Sequence, residues 1–334
     1  MHLKITSCSK LFKAILLVST LLFISPNARA QKGPANSFAS PEAAIEQINE
    51  LEYMGKHQAM LQTALDALGQ FPEHLEILGI NADLCFQFGD LDTAFSLYSR
   101  SIELDSTNRF SWQARAYFLL EAGAYRAAIV DYEHAVSLAP SDSIKYELYL
   151  NLASAYMSIR AFQQAHQLLE EGLSYNPDDV DFLNNMAVVS DEIGQPEKVL
   201  PLLQRIVELD SLNIGAWINL GFYHQTREEF AASLPYFDRA QQLAPEEPLI
   251  YSNRATSLLG LGNLRKAMED VNHSLALLPT NSWAYKVKAR ILLEMGESRE
   301  ACLNLTRSLE LGYTEQYGDE VLDLQRLHCL LERH

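Results

Sequence analysis

Apolar stretches rich in alanine recur along this chain, and five of them are closed by a proline: Pro72, Pro140, Pro177, Pro245 and Pro279. Pro245 and Pro279 stand 34 residues apart, and Pro72 and Pro140 twice that, with Ser106 in LDSTN at the halfway point. Ser211 in LDSLN halves the interval from Pro177 to Pro245 in the same way. Only the step from Pro140 to Pro177 departs, by three residues. Counting back places eight repeats at 41–74, 75–108, 109–142, 146–179, 180–213, 214–247, 248–281 and 282–315, with residues 143–145 inserted. A period of this length is one supersecondary unit copied along the chain.

Three positions of the period are held by small residues. Position 8 is Ala or Gly from Ala82 through Gly221 to Ala289, position 20 is mostly Ala (Ala94, Ala128, Ala165, Ala267, Ala301), and position 27 is mostly Ala or Ser (Ala67, Ser101, Ala135, Ala240, Ser274, Ser308). Aromatics recur at position 4 (Trp112, Tyr149, Trp217, Tyr251, Tyr285) and position 24 (Tyr98, Tyr132, Phe237). Small facing large is how two helices interdigitate closely. Gly55, Gly89, Gly123, Gly194, Gly262 and Gly296 all fall at position 15, where a positive φ ends one helix before the next begins. Each repeat therefore predicts two helices and a tight turn. Ser40 and Pro41 predict the start of the first helix, as N-cap and first helical residue.

These residues resemble the tetratricopeptide repeat, and the resemblance covers almost all of the chain after residue 40. It is weakest in the first repeat, where Ile48 and Met60 hold small positions. The resemblance implies an all-α fold: a right-handed superhelix, or α-solenoid, of eight helix-turn-helix repeats with a C-terminal capping helix. Residues 31–40 form a short lead. Residues 316–334 form the cap, with Val321, Leu324, Leu327 and Leu331 available to cover the last repeat. The insertion Ser143-Ile144-Lys145 extends one helix by about a turn.

Residues 1–30 read as an address. Lys4, Lys10 and Lys13 precede an apolar run at 14–24, and Ala28-Arg29-Ala30 offers small residues where a signal peptidase reads. The run is short for a membrane span of about 20 residues, so a secretory signal peptide cleaved before Gln31 is expected rather than an anchor. The expected compartment is the periplasm, with secretion as the alternative. Export leaves Cys85, Cys302 and Cys329, an odd number, in an oxidising environment. Cys302 and Cys329 are disulfide candidates because the cap and the last second helix pack together; the alternative is two small core residues facing different neighbours.

The formal charge is −17, which argues against nucleic acid and anionic membrane surfaces. There is no glycine-rich phosphate loop, no Gly-x-Ser-x-Gly elbow and no His-Glu-x-x-His, and the nine His are scattered. No catalytic residue, metal site or cofactor is expected, and the chain is read as a non-enzyme. In the repeats it resembles, positions 2, 5, 6, 9, 12 and 13 of the first helix face inward. Carried over, position 6 is asparagine four times running: Asn151, Asn185, Asn219 and Asn253. Such a ladder holds an extended peptide backbone in long members of the family, since an amide offers both a donor and an acceptor. The alternative is that these amides satisfy neighbouring helix groups.

The same inward positions carry ten acids and no Lys or Arg in repeats one to seven: Glu42, Glu46, Glu52, Glu76, Asp83, Glu121, Glu147, Asp181, Asp191 and Glu192. Repeat eight reverses the sign with Lys286 and Arg290. Tyr251-Ser252-Asn253-Arg254-Ala255 looks like the middle of the family's clamp for a terminal carboxylate, but Trp283 and Val287 stand where further cations belong. The resulting expectation is a scaffold that binds a protein or peptide partner through an extended, basic segment. The alternatives are an accessory subunit positioning a separate envelope enzyme, and a self-assembling spacer.

Overall fold

The computed structural model describes residues 37–329, and every regular element among them is an α-helix. They divide after Pro177 into two units. In the first, α1 (Pro41–Tyr53) pairs with α2 (His57–Gln70), α3 (Leu75–Gln87) with α4 (Leu91–Leu104), α5 (Arg109–Glu121) with α6 (Tyr125–Ser137) and α7 (Asp142–Ser158) with α8 (Phe162–Tyr175). In the second, α9 (Val180–Glu192) pairs with α10 (Pro196–Leu209), α11 (Ile214–Gln225) with α12 (Phe230–Leu243), α13 (Pro248–Gly260) with α14 (Leu264–Leu277) and α15 (Ser282–Glu294) with α16 (Ser298–Glu310). Two further helices follow, α17 (Tyr313–Tyr317) and α18 (Glu320–Cys329). Within each unit the second helix of a pair also packs on the first helix of the next. Residues 143–145 lie inside α7, which is 17 residues long.

Six of the eight first helices start on side-chain caps. Ser40 Oγ accepts from the Ala43 amide at 3.3 Å, and Asn108, Asp179, Asn213 and Asn281 accept from amides of the first turns of α5, α9, α11 and α15. Each cap satisfies a donor that the helix itself leaves unpaired. The turn inside each pair is set by φ. Gly89 and Gly194 have φ of +83° and +77°, and a Cβ added to either meets nothing within 4 Å. Conformation, rather than room, selects glycine there. Arg160 and Glu228 occupy the same turn position at φ +60° and +59°, which strains a side-chain-bearing residue by about 1–2 kcal/mol. Gly221 shows the other reason for glycine: a Cβ there would lie 2.6 Å from the Phe237 ring.

The repeated small positions form the packed interior. Ala82, Ala116, Ala153, Ala187, Ala255 and Ala289 are fully buried, and Tyr132 and Phe237 fill the space opposite. Three of the position-4 aromatics tie their polar edges to the preceding turn. Trp112 Nε1 donates to the Ser106 carbonyl at 2.8 Å, Trp217 Nε1 to Ser211 at 3.0 Å, and Tyr251 Oη to Pro245 at 2.7 Å. An unexpected staple recurs as well. Arg115 on α5 forks onto Asp131 of α6, with Nε–Oδ2 at 2.6 Å and Nη2–Oδ1 at 2.9 Å, and reaches Ser99 of α4. Arg254 on α13 forks onto Asp270 of α14 at 2.7 and 2.8 Å, and reaches Asp238 and Gln241 of α12. Each arginine thus bonds to both helices packed beside it, in a geometry only a guanidinium supplies.

The tail is not one helix over 316–334. Gly318 takes φ +88° and breaks it into α17 and α18. Val321 is fully buried and Leu324 packs beside it, whereas Leu327 is 65% exposed. Six residues on from Val321 a side chain points about 120° away around the helix, off the packed face. Leu331 and the signal-peptide segment lie outside the described residues.

Candidate functional site

The positions expected to face inward lie on the first helix of each pair. On α7, Glu147 and Asn151 are one turn apart and share a face. Glu147 is exposed and Asn151 half-buried. On α9, Asp181, Asn185 and Glu192 fall on one stripe with Asp191 beside it; Asp181 and Asp191 are exposed and Glu192 half-buried. In the first unit Glu42, Glu46 and Glu52 on α1, Glu76 and Asp83 on α3 and Glu121 on α5 are likewise exposed. The hydrogen bonds from Ser40 and from its own backbone amide hold Glu42 below the usual carboxylate range. Crowding raises the pKa of Asp83, despite the hydrogen bond it accepts from the Tyr98 hydroxyl.

The asparagines differ from a row of open amides. Asn185, Asn219 and Asn253 are 6%, 6% and 4% exposed. Asn219 Nδ2 lies 3.5 Å from Asn184 Oδ1, so its contact is with the neighbouring position rather than with Asn185. The main-chain oxygen of Asn253 accepts from Gln225 Nε2 at 2.6 Å, and the same nitrogen donates to Ser257 Oγ at 2.7 Å. Ser257 Oγ in turn pairs with Ser233 Oγ at 2.7 Å. A buried polar network therefore joins α11, α12 and α13. Nothing in the periodic pattern points to it, because glutamine and serine at single positions carry no spacing signal. Within this network the Asn253 side-chain oxygen is buried and has no hydrogen-bond partner. Leaving such a group unpaired costs about 1–3 kcal/mol.

The cations of repeat eight are not equally open. Lys286 is 2% exposed; its Nζ lies 3.0 Å from Glu320 Oε2 of α18 and 3.8 Å from the centre of the Trp283 ring. Burial pushes its ammonium below the usual lysine range, against the pull of Glu320. Arg254 is committed to Asp270 and Asp238 and is not free to clamp a partner's carboxylate. Cys302 and Cys329 are joined in a disulfide with Cα atoms 5.7 Å apart, and Cys85 remains a free, half-buried thiol whose pKa burial raises. Among the described residues no three His, Cys, Asp or Glu side chains converge on a metal position, and no helix is long and apolar enough to cross a membrane.

Comparison with known proteins finds similar repeats elsewhere. The sequence profile of the tetratricopeptide repeat matches residues 119–181. A tetratricopeptide repeat protein from Parabacteroides merdae superposes with a TM-score of 0.65 at 18% identity, over 75% of this chain and 98% of that one. Protein FlbA of Caulobacter vibrioides is 25% identical over 55% of this chain and 30% of its own length. Hsp70-Hsp90 organizing protein 1 of Glycine max is 24% identical over 58% of this chain and 34% of its own. The chain thus spans about a third of these curated relatives. With the paired helices, the positive-φ turn inside each pair and the buried small positions in register, the chain has the fold of tetratricopeptide-repeat proteins, and the profile match over 119–181 supports that family.

Proposed function

We propose that this protein is an exported, non-catalytic interaction scaffold that holds an extended, basic segment of a partner against the inward faces of its first helices. The observation that carries the reading is the one-sided charge of those faces: ten acids and no cation at the inward positions of repeats one to seven. Acids so arranged attract a basic chain from a distance and disfavour an acidic one. A relative named as an organizing protein for two chaperones supports a role in bringing proteins together. Export rests on the basic and apolar pattern of residues 1–30, and the Cys302–Cys329 bond suits an oxidising compartment. Fluorescence anisotropy with labelled 12-residue peptides tests the reading. A Lys/Ser peptide is expected to bind and a Glu/Ser peptide of equal length is not; equal affinity for both overturns it. N-terminal sequencing of protein recovered from the native host should begin at Gln31, and an intact Met1 contradicts export with cleavage.

A further inference from the structure

The tail does more than cover an apolar end. Val321 and Tyr313 are fully buried and close the last repeat as a cap should. Yet the same tail also lies over Lys286, a side chain only 3% exposed. A buried ammonium is costly, and an apolar residue of similar size under a cap is usually as stable or more so. Lys286 is nevertheless provided with a carboxylate at 3.0 Å, from Glu320, and with the face of Trp283 at 3.8 Å. Tyr313 Oη donates to the same Glu320 oxygen at 3.1 Å. Trp283 is 7% exposed, and its indole N–H is buried with no acceptor. Arg290 follows Lys286 by one turn of α15. The surroundings of Glu320 are therefore those of a held carboxylate, with one more buried donor unused.

The far end of the tail is fixed differently. Cys329, the last residue of α18, is bonded to Cys302 on α16, and Gln325 Nε2 donates to Thr306 Oγ1 at 2.9 Å across an exposed edge. Both cysteines are only half-buried, so a small thiol reaches them. We propose that residues 313–329 are a disulfide-latched strap over a carboxylate-binding socket built from Trp283, Lys286 and Arg290, with Glu320 as its resident occupant. Opening takes two electrons. One thiolate of a dithiol attacks a sulfur of the Cys302–Cys329 bond to give a mixed disulfide and release the other sulfur as a thiolate. The second thiolate of the reductant then attacks the reductant's own sulfur in that mixed disulfide and releases the remaining protein cysteine as a thiolate, leaving the dithiol oxidised to a disulfide and both cysteines as thiols once protons are taken up. The strap then lifts, Glu320 leaves, and the socket takes a carboxylate from an acidic segment. This site is opposite in sign to the acidic faces of the earlier repeats and stands independently of what they bind.

Amine labelling tests it on the full chain. The protein is treated with an acetylating ester, with and without dithiothreitol, and acetylation of each lysine is followed by mass spectrometry; exposed Lys266 is the internal control. In the oxidised protein Lys286 is expected to react at least about tenfold more slowly than Lys266, and after reduction at a comparable rate, because reaction follows local opening. N-acetylated hexaglutamate added to reduced protein should restore protection of Lys286, and hexaglutamine should not. The double substitution Cys302→Ser, Cys329→Ser should behave as reduced protein without reductant. Lys286 that stays protected with both thiols free overturns the latch. Lys286 as reactive as Lys266 before reduction overturns the closed strap. Reduced protein in which hexaglutamate gives no protection overturns the socket. Circular dichroism separates strap opening from collapse: a loss of more helix than α17 and α18 contain means that the last repeat unfolds, which also overturns the proposal.

Discussion

The two units are built from the same helix pairs but are finished and charged differently. The first unit opens with a clasp of two hydrogen bonds: the Phe38 amide donates to Gln70 Oε1 at 3.0 Å, and Gln70 Nε2 donates to the Phe38 carbonyl at 2.8 Å. The second unit ends in a covalent closure, the Cys302–Cys329 bond, backed by Glu320 on Lys286. At the positions expected to face inward, acids run through the first unit from Glu42 to Glu147, whereas in the second they stand on α9 and at Glu294 of α15. The inward positions of α11 and α13 are uncharged, and α15 carries cations. What stays constant is the interior: small residues at three positions, and an Arg–Asp staple once in each unit. A repeat interior must fit its neighbours, so its chemistry is fixed by packing. Its inward surface has no such partner and is free to differ.

The shared interior gives the largest expected effect. Asp131→Ala strands the partly buried Arg115 guanidinium and should cost about 3–5 kcal/mol, read from urea unfolding by circular dichroism, and Asp270→Ala, which leaves Arg254 its bond to Asp238, should cost less but still measurably. A large cost for one and none for the other would break the parallel between the units. Next comes the closure that differs. Replacing both Cys302 and Cys329 by serine removes a link across 27 residues and should cost about 3 kcal/mol. Hydrogen exchange should show the loss in α15–α18, with α1–α4 unchanged.

How far the sequence foretold this depends on whether a feature repeats. The start of α3 at Leu75, of α5 at Arg109, of α9 at Val180 and of α13 at Pro248 follows from a period that packing enforces. Glycine at the turn was legible for the same reason, and Arg160 and Glu228 could be placed in that turn by register although neither favours its φ. The staples were not legible. Arg115 and Asp131 are 16 residues apart on different helices, and single charges in an acidic chain look like solvated surface. The asparagines were legible as a row but not as buried groups, because burial at these positions depends on how the side chains around them are arranged. The split tail and the exposed Leu327 were missed because the tail belongs to no repeat, so one glycine decided its path.

Smaller effects sharpen the comparison further. Gln70→Ala should remove the clasp of the first unit and cost about 1 kcal/mol, with faster hydrogen exchange in α1 and α2 and none gained in α15–α18. The turn substitutions run the other way. Arg160→Gly in the first unit and Glu228→Gly in the second relieve a strained φ and should each raise stability by about 1 kcal/mol or less. A fall in melting temperature for either would mean that the side chain repays its strain by contacts of its own.

The most direct test of the scaffold reading is the salt dependence of peptide binding when the acids of one helix are neutralised. Glu42, Glu46 and Glu52 are exposed on α1, so Glu42→Gln, Glu46→Gln and Glu52→Gln together change charge with little change in packing. Affinity for a Lys/Ser peptide is measured from low to physiological ionic strength, where screening shortens to about 8 Å. Weaker binding at low salt and a shallower salt slope are expected for the triple variant than for the unmodified protein. The same affinity and the same slope in both proteins would contradict the scaffold reading.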